Sequence, residues 1–156
     1  MPSEPTYFIY PTPMGRITLA SDGAAITQLV FGAAELSGRQ TPTALTNEAA
    51  NQIQEYLAGK RKQFDLPLDP QGTDFQKRVW KALEDIPYGQ TRSYQEVARA
   101  IGNPRAMRAV GGANNKNPLP IFIPCHRVVG VNGDLVGYAA GLKIKKFLLD
   151  LEKTYC

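Results

Sequence analysis

Cys125 and the chain's only histidine, His126, stand side by side in Ile123-Pro124-Cys125-His126-Arg127-Val128-Val129. A thiol becomes a strong nucleophile when a base or a positive charge favours its thiolate, and an imidazole is the commonest base for that purpose. Adjacency does not by itself bring the two groups together, because neighbouring side chains alternate faces on a strand and diverge by about 100° on a helix. A turn or a bridging water is required. Pro124 disfavours helix at Ile123 and suits a short apolar strand, Ile121-Phe122-Ile123, that ends by presenting Cys125. The plainer alternative is a free cysteine packed as a small hydrophobe.

The second cysteine, Cys156, is the last residue, so the chain carries no disulfide framework, and a reducing, intracellular setting is expected. One histidine and two distant cysteines offer no C-x-x-C or H-x-x-x-H spacing, so neither a metal nor another cofactor is expected. The start, Met1-Pro2-Ser3-Glu4-Pro5, lacks the basic and apolar regions of a signal peptide, and no apolar run approaches about 18 residues, so no membrane partner is expected. Charge is uneven. Residues 1–73 hold five Lys/Arg against seven Asp/Glu, net −2, whereas residues 74–156 hold thirteen against seven, net +6. The half containing Cys125 is therefore the basic one, which suits a polyanionic partner as well as it suits a merely solvated face.

These residues need elements to position them, and the sequence predicts an α+β fold. Apolar runs at Tyr7–Tyr10, Met14–Ala20 and Ala25–Phe31, broken by Pro11-Thr12-Pro13 and Ser21-Asp22-Gly23, predict a small N-terminal antiparallel sheet. Leu45, Ala49, Ile53, Tyr56 and Leu57 predict a covering helix over Ala44–Leu57. Residues 60–72, rich in Pro, Gly and charge, read as a linker, giving an N-terminal domain over 1–66, a linker over 67–73 and a second domain over 74–156. That second domain is mainly helical and winged helix-turn-helix-like. Asp74–Asp85 reads as a helix capped by Thr73 or Asp74, and Ser93 with Glu96 forms a capping box opening a helix from Tyr94 to Ile101. Gly102-Asn103 breaks it. A further helix runs from near Pro104 toward Asn114, carrying Arg105 and Arg108. Two helices about a tight turn match a DNA-reading motif, and equally a plain helical hairpin. Asn132-Gly133 between apolar runs predicts a β-hairpin or wing. Leu142–Glu152 reads as a last helix packed behind the reactive turn.

Taken together, Asn117-Pro118-Leu119-Pro120-Ile121-Phe122-Ile123-Pro124-Cys125-His126-Arg127-Val128-Val129 and Gly137-Tyr138 resemble the O6-alkylguanine-DNA alkyltransferases. These are methylated-DNA:protein-cysteine S-methyltransferases. The resemblance extends through Phe75-Gln76, Val79-Trp80, Ile86-Pro87-Tyr88-Gly89, Thr91, Ser93-Tyr94 and Arg108-Ala109-Val110-Gly111-Gly112-Ala113, covering residues 74–152. It implies DNA repair by irreversible, stoichiometric transfer of an alkyl group, mainly methyl, from guanine O6 to Cys125, with thymine O4 as a further substrate. The partner would be double-stranded DNA bearing the lesion, bound by a monomer, with cooperative binding a further expectation, in the cytoplasm at the nucleoid of a prokaryote or in the nucleus of a eukaryote.

The resemblance also implies roles. Glu152 would orient His126, and His126 would act on the Cys125 sulfur through water. Tyr94 would donate to the departing purine, and Asn117 would be a hinge. Arg108 would enter the base stack in place of a flipped nucleotide, which must leave the duplex for its O6-alkyl carbon to be reached. Tyr138 would wall the base pocket. Ala109, Gly111, Gly112 and Ala113 would let the second helix approach a narrow minor groove, and Arg127 is placed with the DNA-contacting residues. One departure is Tyr138-Ala139-Ala140-Gly141, where many relatives carry Ser-Gly-Gly after the tyrosine; a narrower pocket for bulky alkyl groups is expected. A damage sensor without transfer and a cysteine hydrolase are the competing functions, and a hydrolase would regenerate its thiol.

Overall fold

The computed structural model describes residues 4–156, so the reading of the first residues as lacking a signal peptide lies partly outside the described residues. The chain divides into two compact units, one ending at Gln71 and one spanning Gly72–Cys156. No helix among the described residues is long and apolar enough to cross a membrane.

In the first unit, β1 (Thr6–Tyr10), β2 (Ile17–Ser21) and β3 (Ile26–Phe31) form the expected antiparallel meander, with β2 in the middle and buried along its whole length. A fourth strand, β4 (Arg39–Gln40), lies parallel to the outer edge of β1. Two residues without alternation give no periodic signal in the sequence. Helix α1 (Ala44–Leu57) has the expected bounds, opened by a reciprocal box between Thr43 and Thr46. Its buried stripe of Ala49, Ile53 and Tyr56 follows helical spacing. The stretch read as a linker is tied down. Gln52 donates to the Asp65 carbonyl over 3.1 Å and accepts from the Asp65 amide over 2.9 Å. Ile26 N–H reaches the Pro67 carbonyl at 2.8 Å. The segment up to Asp69 thus satisfies backbone groups at the sheet edge that would otherwise need water.

In the second unit, α2 (Asp74–Glu84) begins with a Thr73–Gln76 box and buries Val79, Trp80 and Leu83. The two-residue strand β5 (Arg92–Ser93) leads into α3 (Tyr94–Ala100) through the Ser93–Glu96 box. Gly102, at φ +77°, turns the chain toward α4 (Met107–Asn115). Pro104 and Arg105 fall in the turn before α4 rather than on it, which corrects the placement of Arg105. The Trp80 indole N–H donates to the Ala113 carbonyl over 2.9 Å, bolting α2 to α4 in the core.

Two expected β features do not form. Ile121 takes φ +74°, and Ile123 N–H bonds the Leu119 carbonyl at 2.9 Å, so Ile121–Ile123 is a tight turn in place of a strand. Left-handed backbone at a β-branched residue is strained and persists only where its surroundings over-determine it. Here Asn117 clamps the turn, accepting from Leu119 N–H and donating to the Ile123 carbonyl, each over 2.9 Å. Cys125–Arg127 follow as one 3₁₀ turn, and β6 (Val128–Val129) pairs in parallel with β5. The Asn132-Gly133 hairpin is a closed turn without a ladder. Gly130 N–H bonds the Asp134 carbonyl at 2.8 Å, and the Val136 carbonyl is taken by side chains. Helix α5 (Leu142–Tyr155) ends the chain.

Candidate active site

Helix α5 turns Lys145, Leu148, Leu149 and Glu152 inward. These positions follow the i, i+3, i+4, i+7 spacing of one helical face, so Glu152 enters the core on a stripe otherwise suited to leucine. It meets the 3₁₀ turn there. Oε2 of Glu152 lies 2.7 Å from Nε2 of His126, with both side chains buried. Arg127 donates from Nε to Oε1 over 2.8 Å and from Nη2 to Oε2 over 2.9 Å, and Gly89 N–H adds a bond to Oε1 at 3.1 Å. The turn that separates Cys125 from Arg127 therefore puts His126 and Arg127 on one carboxylate.

Arg127 was expected at the DNA, and this is a correction. Its side chain is buried, its third nitrogen donates to the Ile86 carbonyl at 2.7 Å, and its guanidinium lies 5.6 Å from the Tyr88 ring centroid. All three of its nitrogens are engaged inside the protein, and so buried a guanidinium is not presented to a phosphate. Ala113 is a second correction. It is buried with its carbonyl on Trp80, so it faces the core rather than a groove.

Cys125 is buried, and that burial pushes its thiol pKa up. Hydrogen bonds from Asn117 and Tyr138 and the charge of Lys145 oppose the rise by stabilising the thiolate. Asn114, at the end of α4, donates to the Cys125 carbonyl over 3.3 Å. Two asparagines thus tie the nucleophile's turn, one by its carbonyl and one by the preceding loop. Burial holds the His126 imidazole below its ordinary pKa; Glu152 works against this, and Arg127 and Lys145 work with it.

Three aromatic and cationic groups wall the space near the thiol. Lys145 Nζ lies 5.8 Å from the Tyr94 ring centroid and 5.9 Å from that of Tyr138, and it donates to the Val136 carbonyl over 2.8 Å. Burial lowers the Lys145 pKa to about 8. The Tyr94 hydroxyl donates to the same Val136 carbonyl over 2.9 Å, and burial followed by the Cys125 charge raises its pKa. Gly137, at φ +58°, passes so close that a β-carbon there would sit 3.3 Å from the Tyr94 oxygen. The sequence reading gave no role to Lys145, Asn114 or Gly137. Lys145 alone left a signal, as a lysine spaced seven residues from Glu152 on a leucine stripe.

On α4, Arg108, Ala109 and Gly112 are exposed on one side and Gly111 is half-buried, with space above Gly112. The helix starts at Met107, and the residue before it, Ala106, gives no side-chain cap. This face is basic, small and open.

Family comparisons fit this geometry. The chain matches the model of the 6-O-methylguanine DNA methyltransferase DNA-binding domain over residues 74–154, and that of the same family's ribonuclease-like domain over residues 6–70. The chain belongs to this family. A methylated-DNA–protein-cysteine methyltransferase of Methanosarcina acetivorans is 50% identical over 151 residues, covering 94% of this chain and 97% of the relative. The constitutive Bacillus subtilis methyltransferase is 47% identical, with 91% and 92% covered. Among solved structures, Mycobacterium tuberculosis OGT in complex with DNA superposes with a TM-score of 0.89 at 46% identity, covering 97% of this chain and 94% of that one. The methyltransferase family thus spans both units of the chain and shares its α+β architecture.

Proposed function

We propose that this protein repairs DNA by moving an alkyl group, chiefly methyl, from O6 of guanine onto Cys125 in one irreversible step. The observation that carries the reading is the buried Cys125 turn standing on the His126–Glu152–Arg127 cluster within a chain of this family. The Cys125 sulfur attacks the saturated alkyl carbon, a C–S bond forms as the C–O6 bond breaks, and the electron pair stays with the purine. The thiol proton passes to His126 through water, and Glu152 holds the ring as positive charge develops. Asn117, Tyr138 and Lys145 favour the thiolate inside an otherwise apolar site. Tyr94 donates toward the departing base, exchanging its hold on the Val136 carbonyl for the purine.

The reacting base must be flipped from the duplex, because a buried thiol cannot reach into the stack. Arg108 fills the gap it leaves, while Ala109, Gly111 and Gly112 allow close approach of α4 to the minor groove. Binding is independent of sequence and weakens with salt as phosphate contacts are lost. Thymine O4, with a similar alkyl ether, is the second substrate. The protein acts as a monomer wherever the cell keeps its DNA.

A thioether has no easy exit, so one molecule performs one transfer. Titrating O6-methylguanine duplex in excess over protein tests this. Guanine restored in equal amount to the protein is expected; continued release beyond one equivalent contradicts the proposal.

A further inference from the structure

We infer that Arg127 is a positioning residue for the transfer: it fixes the Glu152 carboxylate and offsets its charge, so that His126 rests as a neutral imidazole with its proton on Nε2. This rests on the alkyl-transfer reading and gives Arg127 a part in the proton relay.

The geometry carries the inference. Nε and Nη2 of Arg127 grip the two oxygens of Glu152 at 2.8 and 2.9 Å, and Nη1 is anchored on the Ile86 carbonyl at 2.7 Å. Such a two-toothed pair fixes the plane of the carboxylate as well as its place. Gly89 N–H adds a third donor to Glu152 at 3.1 Å and His126 Nε2 a fourth at 2.7 Å. A carboxylate held by that many donors stays ionised and only accepts. The ring nitrogen facing it must then carry the proton, which makes Nδ1 the basic nitrogen of the imidazole.

Charge sets the protonation state. A single buried carboxylate beside the ring would favour imidazolium, which has no lone pair with which to accept a thiol proton. Arg127 shares that carboxylate and removes much of its pull. The other titratable or charged neighbours are Cys125 on the same turn, Lys145 on α5, and Tyr88 in the turn after α2, beneath the guanidinium. Among the charges acting on the ring, Glu152 favours the cation, whereas Arg127 and Lys145 disfavour it.

Because His126 is the only histidine, a single imidazole resonance set in nitrogen-15 NMR of the full chain reports it without DNA. The wild type is expected to show the neutral Nε2–H tautomer around pH 7, and an imidazolium there overturns the inference. In Arg127→Gln the ring titrates at least about one pH unit higher, and the pH profile of single-turnover transfer moves with it. In Arg127→Lys the charge remains and the ring stays neutral, but transfer slows about tenfold as the fork is lost. A merely structural arginine would lower the melting temperature in both variants and leave tautomer and pH profile as in the wild type; that result overturns the inference. Should Arg127→Gln not fold, an Arg127→Lys rate within about twofold of wild type overturns it equally. Failure of the wild type to transfer methyl at all would sink the alkyl-transfer reading instead, and the imidazole spectrum would still be readable.

Discussion

Glu152 and His126 meet through one 2.7 Å contact between Oε2 and Nε2, joining the last helix to the turn that carries the nucleophile. Both are buried, and the same carboxylate balances Arg127. Replacing Glu152 by Gln leaves a guanidinium buried without its counter-charge, a change that costs roughly 3–5 kcal/mol when a buried pair is broken. The exposed Lys146–Asp150 pair, 2.6 Å apart on the outer face of α5, is the contrast. Asp150→Asn there should cost no more than about 0.5 kcal/mol. Urea unfolding of the two variants measures the difference.

Lys145 makes stability depend on pH in an unusual direction. Its pKa of about 8 in the folded protein lies below the ordinary 10.5, so between those values the unfolded chain binds more protons. Stability therefore rises with pH through that window, and below pH 8 the full penalty of the buried charge is present. From about pH 9 the buried Cys125 thiol, held above its ordinary 9.0, acts the other way, and near the top of the window Tyr88 and Tyr94, both raised above 10.0 by burial, join it, so the rise is clearest between pH 8 and 9. Lys145→Met should flatten the rise while slowing transfer, since the thiolate loses its nearby cation. Unfolding midpoints across pH 8 to 10 check this.

Tyr94→Phe separates chemistry from packing. The Val136 carbonyl keeps Lys145 as donor at 2.8 Å when the phenol is lost, so the change in stability should stay within about 1 kcal/mol. Transfer should slow by roughly 10- to 100-fold if the phenol stabilises the departing purine. A thermal melt together with a single-turnover time course decides between the two effects.

Arg108→Ala should leave folding untouched, because the side chain is exposed on α4. Its cost falls on extrusion of the base. Transfer from duplex DNA is expected to drop by about tenfold or more, whereas reaction with the free base O6-methylguanine should not change. Equal losses on both substrates would place Arg108 in the chemical step instead.

The sequence made much of this legible where the signal was local. The bounds of α1, a cap at Thr73, the Ser93–Glu96 box and the alternation and turns of the three-strand meander are all written in short stretches of sequence. What it could not show came from side-chain bonds that leave no periodic pattern. Ile121 sits at positive φ because Asn117 clamps the loop on both sides, and nothing about an isoleucine announces that. The Val136 carbonyl, expected in the ladder of a hairpin at Asn132-Gly133, is instead claimed by Tyr94 from a distant helix and by Lys145 from the helix that follows. The resemblance places Arg127 with the DNA contacts, and only the structure shows it buried against Glu152. Cys125 and His126 stand out as an adjacent thiol and imidazole, Glu152 only through the family resemblance, and the turn and α5 bring His126 and Glu152 together.

The most direct test of the account is intact and peptide mass spectrometry of the protein after incubation with duplex DNA carrying a single O6-methylguanine. A gain of about 14 Da per molecule, confined to the peptide holding Cys125 and absent in Cys125→Ser, is the predicted result. An unmodified Cys125 in protein that still binds the damaged duplex would contradict the account.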